Sequence, residues 1–191
     1  MRPKSSAWMR TNPRSPAGSR GRVWRQRALT LALLLTVWLG AQYWRASEVP
    51  RGPAPAFSLP AVSVQAGQQL SLAQWQAAHP GRPVALNFWA ESCPICKLQQ
   101  SNISRVGADW PVLTVALQSG DVAAVRQALG RRGLDWPTVV DARGELTRRY
   151  GIGAVPAFVV IDAGGQVRGA SVGYTSELGM RARLWWAALR A

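Results

Sequence analysis

Cysteine, histidine and acidic residues are all scarce in this sequence. Its 191 residues include two cysteines, one histidine and nine acidic residues. A structural zinc site normally takes four Cys or His ligands, so this shortage argues against a zinc-stabilised fold. Hydrophobic residues make up 48% of the chain and charged ones only 17%, a composition that excludes general disorder. The length suffices for one medium-sized domain with an appendage but hardly for two full domains.

The shortage of acids leaves a formal net charge of +14, and the excess is concentrated at the start of the chain. Residues 1–27 contain eight arginines and lysines and no acid, whereas the remaining residues carry 15 basic and nine acidic side chains. A nucleic-acid-binding surface on the folded part is therefore not predicted. We interpret the basic tail as a topology signal and as a contact for anionic lipid.

An uncharged apolar run, residues 28–44, follows this basic tail directly. As a helix it would extend about 25 Å, just short of a hydrocarbon core of about 30 Å. Aromatic residues cluster at its far end, where they favour a membrane interface, and the arginines before it orient the amino terminus towards the cytoplasm. The sequence therefore predicts a single-pass signal anchor in the inner (plasma) membrane, with the following domain in the periplasm.

A cleavable signal peptide is the alternative interpretation of the same residues, since a basic region and an apolar region are both present. Cleavage after Ala41 or Ala46 would place Leu39 or Trp44 at the third position before the cut, where a small residue is preferred. We therefore favour an uncleaved anchor. The domain is exported under either interpretation.

The rest of the chain divides into a linker and one domain. Residues 45–56 are rich in proline and small residues and have no apolar period, which predicts a semi-extended linker. Residues 57–191 alternate segments typical of strands and helices, which predicts an α/β fold with a mixed sheet flanked by helices. The predicted strand segments are 57–64, 68–70, 83–89, 112–117, 157–161 and 167–172, and residues 134–140 lead into a short helix.

Five helices are predicted in this domain, at residues 72–78, 94–106, 121–129, 145–150 and 175–189. Ser71 is the expected N-cap of the first helix, because its hydroxyl can accept a bond from a free backbone N–H. Gly130 is expected just after the end of the third. The apolar positions of the second helix are Ile95, Leu98, Ile103 and Val106.

The two cysteines stand three residues apart at the start of a predicted helix, directly after the buried strand 83–89. At this spacing Cys93 and Cys96 can close a small disulfide without refolding. The helix amino terminus supplies partial positive charge and free N–H groups, which stabilise a thiolate and lower the pKa of Cys93. Pro94 at the first helical position costs no hydrogen bond. Cys93 is thus predicted as the exposed attacking thiol and Cys96 as the buried resolving thiol of an exchange reaction.

The residues alone leave two other roles open for the cysteine pair. An exported protein can carry a purely structural disulfide, although a loop of two residues constrains little unfolded-state entropy. Two thiols can also bind copper, although such sites usually recruit a nearby His or Met, and none lies close in the sequence. His79, beside Pro80 and Gly81, is interpreted as a surface loop residue rather than a catalyst.

Residues 84–97, with the sequence Val-Ala-Leu-Asn-Phe-Trp-Ala-Glu-Ser-Cys-Pro-Ile-Cys-Lys, resemble the active-site segment of the thioredoxin superfamily. More narrowly, they resemble the membrane-anchored TlpA, ResA, DsbE and ScsD group, and the Cys-Pro-hydrophobic-Cys form leans towards ScsD-type protein disulfide oxidoreductases. Residues 136–152 and 153–165 agree in order and spacing. The resemblance covers nearly all of residues 57–191 and implies a thioredoxin-like fold.

The resemblance also implies roles for residues distant from the cysteines. The Val155–Pro156 peptide bond is expected to be cis and to lie opposite Cys93, so that the Val155 backbone pairs with a substrate peptide like an added strand. Pro156 is accordingly counted with the two cysteines as catalytic. Pro94, Ile95 and Val155 are the predicted substrate-binding residues.

Several positions depart from the family pattern. Asn87 stands where thioredoxins carry a buried Asp, and Gln99 stands where many TlpA-like proteins carry a Glu, so neither can take up a proton at neutral pH. Glu91 is either an anion near the thiols or a solvated side chain. Ser92 replaces a common Trp, and Lys97 is a cation that would favour a nearby thiolate. These changes affect the expected redox potential rather than the class.

The sequence therefore predicts a membrane-anchored periplasmic thiol–disulfide oxidoreductase that acts on protein cysteines, in the direction of a reductase. No metal or organic cofactor is expected, because the dithiol is itself the redox carrier. A membrane-embedded thiol electron donor is the expected partner, because an oxidising compartment supplies no electrons. The alternatives are a thiol reductant for cytochrome c maturation and a non-catalytic protein, either a copper-handling module or a thioredoxin-like binding module.

Overall fold

The computed structural model describes residues 24–34, 36–37, 49, 51–62 and 68–190. Residues 24–34 and 36–37 are helical and form part of a unit separate from the main domain. The predicted anchor at 28–44 lies only in part within the described residues, and the basic tail up to residue 23 lies outside them. Among the described residues, no helix is both long enough and apolar enough to cross a membrane.

The main domain contains eight strands and five helices within its described residues. The strands are β1 (Gly52–Pro53), β2 (Ser58–Pro60), β3 (Gln69–Ser71), β4 (Val84–Trp89), β5 (Val112–Leu117), β6 (Thr138–Asp141), β7 (Ala157–Ile161) and β8 (Gln166–Val172). The helices are α1 (Leu72–Ala77), α2 (Pro94–Asp109), α3 (Val122–Arg131), α4 (Glu145–Arg149) and α5 (Glu177–Ala188).

Six of the strands form one mixed sheet in the order β1-β8-β7-β4-β5-β6, and β2 and β3 form a separate antiparallel pair. Strands β4, β5 and β6 run parallel to one another, and β7 is antiparallel to β4. Helices α2 and α3 make the connections between the parallel strands, as parallel pairing requires. The predicted α/β fold with a mixed sheet is confirmed.

Strand β4 lies at the centre of the sheet, and all six of its residues are buried. Because side chains alternate along a strand, its residues face two different layers. Val84, Leu86 and Phe88 join the larger apolar cluster, whereas Ala85 packs with residues of α2 and α5. Asn87 shares the α2-facing side of the strand with Ala85, which places an amide directly beneath the cysteine-bearing helix.

The helix caps confirm one prediction and correct another. Ser71 caps α1 in a capping box with Gln74. Helix α3 does not end before Gly130 as predicted but continues to Arg131. The left-handed residue is Gly133, with a φ of 62°, and the N–H groups of Gly133 and Leu134 donate to the Gly130 and Leu129 carbonyls. This is a Schellman arrangement, which requires the left-handed residue one position beyond the cap.

Part of the predicted linker belongs to the sheet. Gly52 and Pro53 pair with Val167 and Gln166 of β8 as the edge strand β1. A proline is compatible with an edge strand because its missing N–H can face away from the ladder. The buried Tyr150 hydroxyl donates a hydrogen bond to the Pro55 carbonyl. This bond holds the segment after β1 against the domain. Pairing with a distant strand, rather than any apolar pattern, orders this segment.

Helix α2 is longer than predicted, and its first turns differ from its later ones. Ile103 and Val106 are buried, as their apolar character predicts. Ile95 and Leu98 are instead 47% and 73% exposed. Cys96 and Gln99 are buried in the same two turns, so this part of α2 has one side in the protein and another side, with Ile95 and Leu98, in solvent.

Candidate functional site

Cys93 and Cys96 form a disulfide at the amino terminus of α2. Cys93 is the helix N-cap, and its Sγ accepts the Cys96 backbone N–H at 3.1 Å. Pro94 occupies the first helical turn, so no N–H is lost there. Cys93 is half-buried, and Cys96 is only 7% exposed. Cys93 is thus the outer sulfur of the pair and Cys96 the inner one.

The loop before β7 lies against the outer sulfur. The Val155–Pro156 peptide bond is cis, and the Val155 carbonyl oxygen is 3.6 Å from Cys93 Sγ. Pro156 lines a small cavity together with Cys96. The structure therefore brings together four of the predicted site residues from two segments more than 50 residues apart. Antiparallel pairing of β7 with β4 produces this proximity, because it sets the start of β7 beside the end of β4.

The remaining two predicted site residues lie on the outer surface of the same turn. Pro94 and Ile95 are both exposed, and Leu98 is exposed one turn further along α2. These side chains form a small apolar surface immediately beside the disulfide. Water-exposed apolar side chains next to a reactive group are typical of a surface that a partner covers.

Glu91 is not free beside the cysteines but paired with two arginines. Its carboxylate contacts the Arg132 guanidinium closely and lies 3.6 Å from Arg131. Arg132 also stands over the Trp89 ring at 5.7 Å and lines the cavity beside Cys96. The negative charge of Glu91 is thus compensated. Sequence reasoning missed Arg132, since only the Schellman turn after α3 directs it here.

Two buried amides occupy the positions where the family resemblance implies carboxylates. Asn87 is 2% exposed and Gln99 is 1% exposed. The Gln99 Oε1 accepts the Thr175 backbone N–H at 2.7 Å. Within the described part of the chain, Asn87 Oδ1 and Gln99 Nε2 have no hydrogen-bond partner. Both residues line the same cavity as Cys96, and its volume is about 10 Å³.

Two other residues considered from the sequence lie outside this arrangement. His79 is half-buried, packs against Trp75 with tilted rings whose centroids are 4.5 Å apart, and lines a larger cavity of about 550 Å³ at the amino-terminal end of β5. None of the predicted site residues lines that cavity. Lys97 is exposed on α2. Among the described residues, no group of three or more His, Cys, Asp or Glu side chains has the arrangement of a metal site.

Comparison with known proteins gives matches over most of the folded domain. The model of the Redoxin family matches residues 51–183. A thioredoxin-like protein of Haemophilus influenzae is 31% identical over 107 residues, which are 56% of this chain and 64% of that protein. The thiol:disulfide interchange protein DsbE of Pseudomonas aeruginosa is 26% identical over 162 residues, or 82% of this chain and 87% of the relative.

Among solved structures, a thiol:disulfide interchange protein of the thioredoxin family from Chlorobium tepidum superposes with a TM-score of 0.58. It is 27% identical, and the match covers 73% of this chain and 97% of that one. The present chain spans just under two thirds of the Haemophilus relative and about half of another curated relative, the soluble secreted antigen MPT53 of Mycobacterium bovis. The Redoxin match includes all strands of the six-stranded sheet and both cysteines.

Proposed function

Since this chain belongs to the Redoxin family, we propose that it is a thiol–disulfide oxidoreductase whose Cys93–Cys96 pair exchanges electrons with protein cysteines. The predicted thioredoxin-like class, within the TlpA, ResA and DsbE group, is confirmed by the family match and the relatives. One observation carries the proposed activity: a disulfide at the start of α2 with the Val155 carbonyl oxygen 3.6 Å from Cys93 Sγ.

The reaction proceeds through a mixed disulfide. In the reducing direction the Cys93 thiolate attacks one sulfur of a substrate disulfide, and the other substrate sulfur leaves and takes up a proton. Cys96 then loses its proton and attacks Cys93 Sγ, which closes the Cys93–Cys96 bond and releases the second substrate thiol. Counted from the dithiol, whose Cys93 proton is lost when the thiolate forms, the enzyme pair loses two electrons and two protons, and the substrate gains the same number.

The start of α2 favours Cys93 as the attacking sulfur. A helix amino terminus carries partial positive charge, and the Cys96 N–H donates directly to Cys93 Sγ at 3.1 Å. Both interactions stabilise a thiolate at Cys93 more than a thiol. Cys96 lies inside the helix and is shielded from solvent, so it attacks only Cys93 Sγ, after that sulfur has become bonded to the substrate.

Substrate binding is assigned to the surface around the outer sulfur. The Val155 backbone pairs with an extended substrate segment, and Pro156 positions that backbone opposite Cys93. The exposed side chains of Pro94 and Ile95 contact apolar residues that flank the substrate cysteine. Because the surface is apolar and exposed, it suits a partly unfolded or extended protein segment better than a small polar thiol.

The cellular setting is proposed from the sequence. A membrane anchor at residues 28–44 would hold the domain on the periplasmic side of the inner membrane, and the described residues 24–34 and 36–37 are helical with exposed apolar side chains. Tethering raises the effective concentration of the domain near a membrane-embedded thiol donor. The Cys-Pro-Ile-Cys sequence supports a ScsD-type reductase within the wider group.

The reduction potential of the cysteine pair tests the activity and its direction together. The full-length protein is equilibrated with defined thiol buffers, and free thiols are trapped and counted. A value near about −270 mV supports a reductase, and a value near about −120 mV makes the protein a disulfide donor instead. Cys93→Ser and Cys96→Ser variants are the controls. A pair that is not reversibly reduced contradicts the catalytic role, and retained copper would then favour a binding module.

A further inference from the structure

Asn87 and Gln99 line one cavity with Cys96, and within the described residues each has one buried amide atom without a partner. Buried polar side chains almost always find a hydrogen-bond partner, so two such residues on one cavity call for an explanation. The Thr175 N–H fixes the Gln99 oxygen, so the Gln99 amino group is the end that remains, and it is a donor. The Asn87 Oδ1 is an acceptor. A single molecule that accepts a hydrogen bond from Gln99 and donates one to Asn87 would satisfy both atoms.

The size of the cavity limits what that molecule can be. A space of about 10 Å³ is close to the smallest that holds a single water molecule. A metal ion is a poor fit, because Gln99 presents an N–H donor to the space and Arg132, a permanent cation, also lines it. Water is the one common ligand that suits both the volume and the pair of amides.

We propose that Asn87 and Gln99 hold one water molecule as a neutral clamp that hydrogen-bonds Cys96 Sγ when the disulfide is open. The proposal deepens the function proposed above and rests on it. Asn87 and Gln99 are positioning residues here, because they act on the sulfur through the water rather than touching the substrate.

The hydrogen-bond count of this water is consistent. One lone pair accepts the Gln99 N–H and one hydrogen goes to Asn87 Oδ1, which leaves one lone pair and one hydrogen for Cys96. The water can therefore accept from the Cys96 thiol or donate to its thiolate. A charged partner makes the stronger hydrogen bond, so the clamp favours the thiolate, which is the form that attacks Cys93 Sγ.

No titrating carboxyl takes part in this clamp. Arg132 is the charged residue that lines the cavity, its charge is permanent, and it is paired with Glu91. On α2, Cys93 and the exposed Lys97 flank Cys96. Cys96 belongs to a buried apolar cluster with Val62, Trp89, Ala116, Val125, Leu129 and Val140, and the further polar residue on the cavity, Gln100, does not titrate. The attack by Cys96 should therefore depend on pH through its own thiol alone.

The test separates the two sulfur attacks in one experiment. The reduced full-length protein is mixed with 5,5′-dithiobis(2-nitrobenzoate), and the released thionitrobenzoate is followed by absorbance over a range of pH. The first release reports attack by Cys93, and the second reports attack by Cys96 on the mixed disulfide. Gln99→Met and Asn87→Leu remove the donor and the acceptor at nearly constant volume. Gln127→Met makes the same chemical change at an exposed position of α3.

We expect Gln99→Met and Asn87→Leu to slow the second release about tenfold at neutral pH and to move its pH midpoint upward by about one unit. The first release stays within about twofold of the wild type, and Gln127→Met changes neither phase. An unchanged second release in both variants overturns the clamp. Equal slowing of both releases overturns it too, because that is the mark of a general structural role.

The isosteric acids test the same point in case the apolar variants do not fold. Asn87→Asp and Gln99→Glu place a titrating carboxyl at the cavity, so each should add a second ionisation to the pH profile of the second release. If the second release shows a single ionisation in both Asn87→Asp and Gln99→Glu, the clamp is overturned. Failure of the proposed function has a different signature, since wild-type protein would then show no second release at any pH.

Discussion

The two halves of α2 are built for different purposes. Its first two turns carry the disulfide, an exposed apolar surface and a buried amide with an unsatisfied N–H group. Its last turns pack Val106 into the core and bond to α5 through ion pairs, with Asp109 on Arg181 and Arg105 on Glu177. Satisfied contacts stabilise the carboxyl-terminal half, whereas the amino-terminal half keeps reactive and polar groups available. One helix thereby has a reactive amino-terminal half and a stably packed carboxyl-terminal half.

The largest effect is expected at the reactive end. Cys93→Ser should lower the rate of disulfide exchange by at least about a thousandfold, because the attacking sulfur is lost. The free energy of unfolding of the reduced protein should change little. Reduction of a protein disulfide, followed by turbidity or thiol release, measures the rate. Exchange at near wild-type rates in this variant would remove the assigned nucleophile.

The next largest effect is expected in the carboxyl-terminal half of α2, on stability. Val106 is fully buried against α5, so Val106→Ala should lower the free energy of unfolding by about 2 kcal/mol through lost burial and the cavity that remains. The rate of the Cys93 attack per folded molecule should stay the same. Urea unfolding of the reduced protein measures the stability. A lower exchange rate with unchanged stability would contradict the assignment of the carboxyl-terminal half to stability and the amino-terminal half to reactivity.

A smaller effect is expected at the exposed apolar surface. Leu98 is 73% exposed, so Leu98→Ala should leave the stability nearly unchanged. It should lower kcat/KM for a protein disulfide by about threefold to fivefold, because the smaller side chain reduces the apolar area in contact with the substrate. Attack on 5,5′-dithiobis(2-nitrobenzoate) is the matched small-molecule control and should not change. Equal losses for both substrates would contradict a role in protein docking.

The smallest effect concerns the ion pairs between α2 and α5. Hydrogen bonds from Arg105 and Arg181 lower the pKa of Glu177 below its usual value. A lowered pKa contributes stability that is present above the unfolded-state pKa and is lost as the pH falls through the folded-state pKa. Glu177→Gln should therefore lower stability slightly at neutral pH and flatten its decline in acid. Salt should weaken the wild-type contribution, because these groups are exposed. Urea midpoints between pH 3 and pH 7 provide the measurement.

Much of the domain could be predicted where one physical signal dominates a segment. The apolar runs of β4, β5 and β7 are long enough for strands and too short for helices, and their predicted bounds differ little from the observed ones. Ser71 was recognisable as an N-cap from local chemistry alone. The Cys-x-x-Cys spacing likewise needs no tertiary information, because both cysteines lie within a single helical turn.

Predictions failed where a distant partner decides the outcome. The composition around Gly52 predicts a linker, but pairing with β8 makes it an edge strand. Gly130 and Gly133 are chemically identical, and only the packing of α3 selects Gly133 for the left-handed position. Arg132 has no local signal that links it to the cysteines, since the turn after α3 and the position of Glu91 bring it there.

The sequence by itself determined the class of this domain, the cysteine pair and its place at a helix start, because periodicity, capping and covalent spacing act over a few residues. Tertiary structure alone decided that Ile95 and Leu98 stay exposed. It also brings the Val155 carbonyl against Cys93, which the family resemblance led us to expect but no local pattern predicts. It also decided that Asn87, Cys96 and Gln99 line one cavity. These arrangements depend on how β4, β7 and α2 pack, and contacts between residues far apart in the chain leave no periodic trace in it.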